Sequence, residues 1–230
     1  MSASAQMEPA LILHVRPYQE SSAIVQMLTL GQGRLAGVLR GYRSKKNGQV
    51  ALQPFSVGTV SWVGRSDLVT IQKFESHHFI SLQGDALYAG FYVLELLTRL
   101  LRERAQDPRI FAAAMAVLEA LEEDDPLQPT LRTFELELLQ QLGYGVDFSA
   151  QGQPLDDNTQ YRFEAQSGFH SVQGPSRQGS RQYSGQVLNQ IAARSFSAPA
   201  TQDAAKALMR VALAPLLGDK PLTSRKMFQR

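Results

Sequence analysis

The first third of the chain alternates short apolar runs with turn residues. Five runs rich in β-branched side chains occupy residues 11–15, 23–28, 35–39, 57–63 and 68–71. Their length and their β-branched residues are typical of short strands. The second and third runs are joined by Leu30-Gly-Gln-Gly33, which is typical of a tight hairpin. No helical pattern of comparable strength interrupts them, so we expect a small closed barrel, which leaves no exposed sheet edge.

After Gly84 the apolar period changes to 3.6 residues, which indicates helices. The capping residues place five starts: Asp85, Asp107 before Pro108, Thr130, Ser184 and Thr201. We expect the second helix to run from residue 109 to about residue 121, and Gly143 to close the third. We expect the last two to end near residues 194 and 217. Between them, residues 161–165 and 168–172 predict a β-hairpin.

These elements predict an α+β protein with two domains. Residues 1–80 form a β-barrel domain, and residues 81–230 form a mainly helical domain with a small β-hairpin insertion at about residues 144–183. The boundary falls where the period changes, near residues 78–84.

Composition narrows the possible classes. The chain has 230 residues, of which 43% are hydrophobic and 19% charged, so it can bury a core. It contains no cysteine, which excludes disulfides, a thiolate nucleophile and sulfur-based metal sites. The first ten residues do not resemble a secretory signal, and Glu95 and Arg99 interrupt the longest apolar-rich segment. We therefore expect a soluble, cytoplasmic protein.

The formal net charge of +2 hides an uneven distribution along the chain. Residues 1–80 carry 8 lysines and arginines against 4 acids, residues 81–148 carry 5 against 12, and residues 149–230 carry 10 against 5. A polyanion should therefore meet the ends of the chain and avoid its middle.

A cluster of cations lies between the third and fourth predicted strands, in the stretch RGYRSKKNGQ. Clusters of this kind are often only solvated surface. Here, however, the cations are interleaved with a tyrosine, and barrels of the oligonucleotide-binding (OB) type hold nucleic acid with their loops and one sheet face. We therefore predict a nucleic-acid-binding site, which the resemblance described below assigns to DNA. Its candidate residues are Arg34, Arg40, Tyr42, Arg43, Lys45, Lys46, Arg65 and Lys73.

Signals of catalysis or of a cofactor are weak. The glycines of residues 31–37 lead into a strand, which is typical of a hairpin and not of a dinucleotide site, and no GxxxxGK[ST] motif occurs. The four histidines do not occur at metal-ligand spacing with acids. We expect a protein that is not an enzyme and that needs neither a cofactor nor a metal.

Seven phrases in order resemble the RecO family of bacterial recombination mediators. They are LHVRPYQESSAIVQMLT, GRLAGVLRGYRSKK, ALQPF, GDALYAGFYVLELLTRLL, LRTFELELLQQLGYG, YRFEAQSGF and KPLTSRKMF. The resemblance covers almost the whole chain, and its strength lies in the ordered set.

The resemblance implies an N-terminal OB-fold followed by a helical domain. It also implies binding of single- and double-stranded DNA, strand annealing and partnership with RecR. A further implied partner is the acidic C-terminal tail of the single-stranded-DNA-binding protein. The family helps to load RecA onto strands that this protein coats. Many relatives carry a four-cysteine zinc site after the LGYG phrase, but residues 146–174 contain no cysteine, so we expect no zinc here.

An acidic tail that ends in an apolar residue needs cations beside an apolar groove. Our candidates for this peptide site are Arg132, Leu138, Leu142, Arg210 and Arg225. Arg132 is one of few cations in the acidic middle of the chain. The alternative is that Arg132 only forms an i,i+3 ion pair with Glu135.

Two other functions remain open at this point. An RNA-binding barrel module should prefer RNA through contacts with the 2′-hydroxyl. A protein-only adaptor should still bind its partners when the loop cations are removed. Its affinity for DNA should then be unchanged.

Overall fold

The computed structural model describes residues 7–42, 52–173 and 181–224. The chain divides into two compact units. The first comprises the residues up to Glu123 together with the segment that begins at Leu222, and the second comprises Asp124–Pro221. The first two helices therefore pack with the barrel. The predicted domain boundary near residue 80, as a division into parts that fold independently, stays a prediction.

Five strands form the barrel of the first unit. They are β1 (Glu8–Tyr18), β2 (Ser22–Thr29), β3 (Gly33–Leu39), β4 (Ser56–Val63) and β5 (Leu68–Phe79). The five predicted strands are all present. The fifth is eight residues longer than expected, because its second half is largely exposed and lacks the apolar run on which the prediction depended.

The barrel closes in the order β1-β2-β3-β5-β4, and β4 pairs with β1. All strand pairs are antiparallel except β3 with β5, which are parallel. The interior is filled by buried side chains from every strand, listed here: Ala10, Ile12, Val25, Met27, Leu35, Val60, Val69 and Ile71. The predicted five-stranded OB-type barrel followed by helices is confirmed.

Five helices follow in the chain. They are α1 (Gly84–Leu100), α2 (Pro108–Glu122), α3 (Leu127–Gln141), α4 (Gly185–Ala192) and α5 (Pro199–Leu217). Two predicted caps are confirmed: the Asp107 side chain accepts a hydrogen bond from Arg109 N, and that of Ser184 accepts one from Val187 N.

Three predicted helix starts are wrong. Helix α1 is preceded by Gln83, and Asp85 lies in the first turn, where a carboxylate interacts favourably with the helix dipole. Helix α3 begins three residues before Thr130. Helix α5 begins at Pro199, and Thr201 is buried with its hydroxyl donating to Gln190 Oε1 at 2.6 Å. The residues that precede these three helices, Gln83, Pro126 and Ala198, form no side-chain capping hydrogen bond.

The second unit adds small sheets to α3, α4 and α5. The predicted hairpin is present as β8 (Gln160–Glu164) and β9 (Gly168–Ser171), and β10 (Gln182–Ser184) pairs with the other edge of β8. Strands β6 (Ser149–Ala150) and β7 (Gln153–Pro154) form a separate pair. Strands β6, β7 and β10 were not predicted, because they are only two or three residues long and show no periodicity.

None of the helices within residues 7–42, 52–173 and 181–224 combines the length and hydropathy needed to cross a bilayer.

Glu95 on α1 holds the C-terminal segment against the first unit. Its carboxylate accepts hydrogen bonds from Thr223 N and Ser224 N, both at 2.8 Å, and from Ser224 Oγ at 2.6 Å. Burial alone raises the pKa of the Glu95 carboxyl. The hydrogen bonds from Ser224 and Thr223, together with the charge of Arg99, outweigh burial and hold that pKa below its ordinary value.

We expect Glu95→Gln to lower the free energy of unfolding by about 1–2 kcal/mol near pH 7, because charged hydrogen bonds become neutral ones in a partly solvated site. A carboxyl with a lowered pKa in the folded state stabilises above its unfolded pKa and loses that contribution as the pH falls through the folded value. The deficit should therefore shrink below about pH 4. Urea unfolding at both pH values measures it.

Glu119→Gln is the matched control, because Glu119 is an exposed carboxylate of the same unit. It should change stability little at either pH. An equal deficit for Glu95→Gln at both pH values would show that the charge of Glu95 does not hold this segment.

Candidate nucleic-acid interface

One end of the barrel brings Arg40 close to two residues of β1. In the register of the sheet, Leu39 pairs with Ala23, and Ala23 pairs with Pro17. Tyr18 pairs with Ser22 next to Ala23, and Arg40 is the first residue after Leu39, so both lie at this end of the barrel. Because neighbouring strands are about 4.8 Å apart, the backbones of Pro17 and Leu39 lie about 10 Å apart across Ala23, and Tyr18 and Arg40 directly follow them.

Arg16 lies on the same outer face as Tyr18, because side chains two residues apart on a strand point to the same side. Val15, between Arg16 and the buried part of β1, packs against the barrel interior, which fixes the outward direction of Arg16. Arg16, Tyr18 and Arg40 are all exposed, and Tyr18 exposes 39% of its surface. We call these three residues the barrel-end patch.

The charges of the barrel-end patch are available to a ligand. Within the part of the chain that the structure describes, neither Arg16 nor Arg40 forms an ion pair. The adjoining turn contributes one acid, Glu20. The patch therefore presents two guanidinium groups beside one exposed aromatic ring, which suits a phosphate backbone with a base that can stack.

Tyr42 has a different role from the one expected of it. Its ring is half-buried and packs against the barrel core, so it is not a free stacking surface. Its hydroxyl donates to Leu52 O at 3.3 Å. Tyr42 and Leu52 flank residues 43–51, so this bond joins the two ends of the basic stretch to the barrel. Arg43, Lys45 and Lys46 belong to that stretch and lie outside the described residues.

Arg34 is engaged inside the protein and is not presented to a ligand. Its side chain is only 14% exposed, its Nη1 lies 3.2 Å from Glu103 Oε1, and its Nε donates to Leu101 O at 2.9 Å. Arg34 therefore fixes the connection between α1 and α2 to the start of β3. The structure assigns it a role in the fold.

Lys73 lies beside the end of β3 that Arg40 follows, because Leu39 pairs with Ile71, whereas Arg65 lies away from the barrel-end patch. Lys73 on β5 forms an ion pair with Glu75, and the hydrogen bond and charge of Lys73 hold the pKa of the Glu75 carboxyl below its ordinary value. Arg65 is exposed in the turn between β4 and β5, three residues before Leu68, which pairs with Ala36 in the middle of β3. Arg65 is thus a separate exposed cation, whereas the charge of Lys73 is largely offset by its neighbour.

Sequence reasoning missed Arg16 and Tyr18. The signal was present, because His14, Arg16 and Tyr18 alternate with Val15 and Pro17 in the period of a strand that continues past residue 15. The apolar run ended at residue 15, so the polar continuation of β1 was not recognised. The antiparallel register that brings these residues beside Arg40 could not be read from a local pattern.

The candidate residues of the peptide site divide between the interior and the surface. Arg132 is 5% exposed, and its Nη2 lies 2.9 Å from Oε1 of the fully buried Glu135. The i,i+3 ion pair on which the alternative interpretation depended is present. Leu138 is also buried, Leu142 is half-buried, and Arg210 is exposed on α5. Arg225 lies outside the described residues, and the peptide role of the set stays a prediction.

The described residues contain no group of three or more histidine, aspartate or glutamate side chains placed to hold a metal ion. Histidines instead take part in local contacts. His78 Nε2 lies 2.8 Å from Glu122 Oε2, and Glu122 Oε1 accepts from Ser81 N at 2.7 Å. The hydrogen bond from Ser81, followed by that from His78, holds the pKa of the Glu122 carboxyl below its ordinary value. This contact joins β5 to the end of α2.

Comparison with known proteins covers nearly the whole chain. Residues 1–79 match the family model for the N terminus of recombination protein O, and residues 81–226 match the model for its C terminus. The chain is 42% identical over 228 residues to a DNA repair protein RecO of Cellvibrio japonicus, covering 96% of each chain. It is 40% identical over 229 residues to one of Haemophilus influenzae, covering 97% of this chain and 96% of the relative.

A third relative, a DNA repair protein RecO of Stutzerimonas stutzeri, is 42% identical over 232 residues, with 98% of this chain and 94% of the relative covered. Identity at this level over nearly full length, together with an OB-type barrel followed by helices, shows the family. The chain belongs to the RecO family of DNA repair and recombination proteins.

Proposed function

We propose that this protein is a recombination mediator that binds single- and double-stranded DNA and anneals complementary strands without catalysing a chemical reaction. The observation that carries the proposal is the barrel-end patch: two arginines without an ion pair among the described residues, and an exposed tyrosine, on an OB-type barrel. The basic stretch of residues 43–51 begins just beyond the patch. The names of the relatives support DNA as the polyanion.

Annealing by this surface needs no catalytic residue. Two complementary strands repel each other through their phosphates, and cations that neutralise phosphates reduce that repulsion while releasing counterions. Base pairing then supplies the favourable free energy. Because phosphates carry no base identity, the binding should depend little on sequence.

We further propose that the second unit recruits partners. RecR is one, and the acidic tail of the single-stranded-DNA-binding protein is another, which would bring this protein to coated strands where RecA is to be loaded. Arg210 is the exposed cation of α5 that supports an acidic ligand on this unit. This role places the protein in the cytoplasm, associated with the nucleoid.

The proposal predicts that Tyr18→Ala weakens binding of a single-stranded DNA oligomer on the order of tenfold, because stacking of one base contributes about 1–3 kcal/mol. Fluorescence anisotropy with a labelled oligomer measures the loss, and a strand-annealing assay with complementary oligomers measures the activity. Tyr144→Ala is the matched control, because Tyr144 is 58% exposed but lies on the second unit.

Three outcomes would contradict the proposal. Tighter binding of a matched RNA oligomer would favour an RNA-binding module, which reads the 2′-hydroxyl. Absence of salt-dependent DNA binding by the unmodified protein would favour a protein-only adaptor. Metal-dependent cleavage of labelled DNA would identify a nuclease.

A further inference from the structure

The turn between β4 and β5 is held by a residue that is distant in sequence. Arg104, in the connection between α1 and α2, donates from Nη2 to Ser66 O at 2.7 Å. Within the turn, Ser66 Oγ donates to Leu68 O at 2.9 Å. A backbone carbonyl at the tip of an exposed turn is normally satisfied by water, so a guanidinium from 38 residues away needs a reason.

The connection that carries Arg104 is itself fixed to the barrel. Arg34 Nε donates to Leu101 O, Arg34 Nη1 pairs with Glu103 Oε1, and Arg104 N donates to Arg34 O at 2.9 Å. A parallel bridge joins Arg34 to Glu103. The guanidinium of Arg104 is therefore supported by β3 and not by a free loop.

The backbone of Arg104 is in an uncommon conformation. Its φ is +57°, in the left-handed region that favours glycine over side chains such as arginine. A residue other than glycine in this conformation needs surrounding contacts that hold it there. At Arg104 these contacts include the hydrogen bond from its side chain to the β4–β5 turn.

The braced turn presents groups suited to a polynucleotide. Arg65 is exposed and has no ion pair among the described residues. Val63 and Leu68 flank it and expose 47% and 42% of their surfaces. Aliphatic side chains beside a cation can contact base faces and phosphate together, as nucleic-acid-binding loops do. Loop ordering costs binding free energy, and a turn already held in one conformation avoids that cost.

We propose that Arg104 is a positioning residue that holds the β4–β5 turn as a preformed DNA-contact element, in which Arg65 meets a phosphate and Val63 and Leu68 meet bases. This inference rests on the proposed function and adds a second contact region to the barrel-end patch. Arg104 acts through Ser66 and does not itself touch the strand.

The test compares four variants of the full chain with the unmodified protein. Arg104→Met removes the donor and one charge. Arg102→Met is the matched control, because Arg102 is an exposed cation of the same connection and its replacement removes the same charge. Arg104→Gly introduces a residue suited to the left-handed φ, so it removes the hydrogen bond to Ser66 without adding backbone strain. Arg65→Met removes the proposed phosphate contact.

We expect Arg104→Met and Arg104→Gly to weaken single-stranded DNA binding roughly three- to tenfold relative to Arg102→Met, because the turn must then be ordered on binding. Their log-log salt slope should equal that of Arg102→Met, whereas Arg65→Met should reduce the magnitude of the slope by roughly 0.7. Hydrogen exchange at residues 64–68 should become faster in both Arg104 variants only. Salt-titrated anisotropy and exchange mass spectrometry measure these quantities.

Each contrary result overturns the inference in a recognisable way. Equal affinity and equal exchange in Arg104→Met, Arg104→Gly and Arg102→Met would show that the brace positions nothing, while a loss in Arg65→Met would leave the proposed function intact. A slope in Arg104→Met reduced as in Arg65→Met would show that Arg104 contacts phosphate directly. Failure of the unmodified protein to bind DNA would overturn the proposed function and this inference together.

Discussion

Replacing Arg43, Lys45 and Lys46 together by glutamine is expected to weaken binding of single-stranded DNA on the order of 100-fold at about 0.1 M salt. Each cation that neutralises a phosphate of a single strand contributes roughly −0.7 to the log-log salt slope, or roughly fivefold in affinity at that salt concentration. The slope should therefore become less steep by about 2. Anisotropy titrations across a range of salt concentrations measure both quantities.

The control for this experiment removes three exposed cations elsewhere: Arg102, Arg109 and Arg181, also replaced by glutamine. It changes the net charge equally, so it separates a local contact from general attraction between a more basic protein and DNA. Equal losses in the two triple variants, with equal slopes, would contradict a binding role for the basic stretch. Both variants should keep their thermal unfolding midpoint within a few degrees, since surface changes cost little stability.

The same triple variant separates the two proposed anionic ligands. Strand annealing should fall with DNA affinity, because annealing depends on phosphate neutralisation. Affinity for an acidic peptide that ends in an apolar residue should stay within about twofold, because four of the five candidate residues of that site belong to the second unit. Adding Arg40→Gln should deepen the loss for DNA, since Arg40 belongs to the barrel-end patch.

The fold could be predicted from sequence where periodicity is strong and local. The five strands contain short runs of apolar and β-branched residues between turn residues, and Asp107 and Ser184 stand directly before helical patterns. The second half of β5 and the start of α3 could not be predicted, because exposed strand residues and an uncapped helix start leave no apolar signal. Tertiary packing decides those boundaries.

The candidate site was predictable in its chemistry and less so in its membership. A run of cations identifies a polyanion ligand, but it does not distinguish a free cation from one that is paired in the fold. Arg34 and Lys73 looked equivalent to Arg40 in sequence, yet Glu103 and Glu75 engage them. Glu103 is 69 residues from Arg34, a separation that no local pattern can bridge. Arg16 joined the site through strand register alone.

Arg132→Ala is expected to lower the free energy of unfolding by about 3–5 kcal/mol, because it leaves the carboxylate of Glu135 buried without its arginine. This is a large share of the 5–15 kcal/mol that typically separates folded from unfolded domains. Urea unfolding monitored by circular dichroism measures it. A loss of peptide binding in this variant therefore does not distinguish a missing contact from a destabilised fold.

A second variant, Arg132→Met with Glu135→Leu, removes both charges of the pair and should recover most of the lost stability, since a buried ion pair replaced by apolar groups of similar volume often costs little. Its affinity for the acidic peptide then decides the role of Arg132. An affinity within twofold of the unmodified protein would assign Arg132 to the fold alone, whereas a loss of tenfold or more in a stable protein would show a direct contact worth about 1.4 kcal/mol or more. Arg210→Gln is the companion variant, because Arg210 is exposed on α5 and its removal should weaken the peptide without lowering stability.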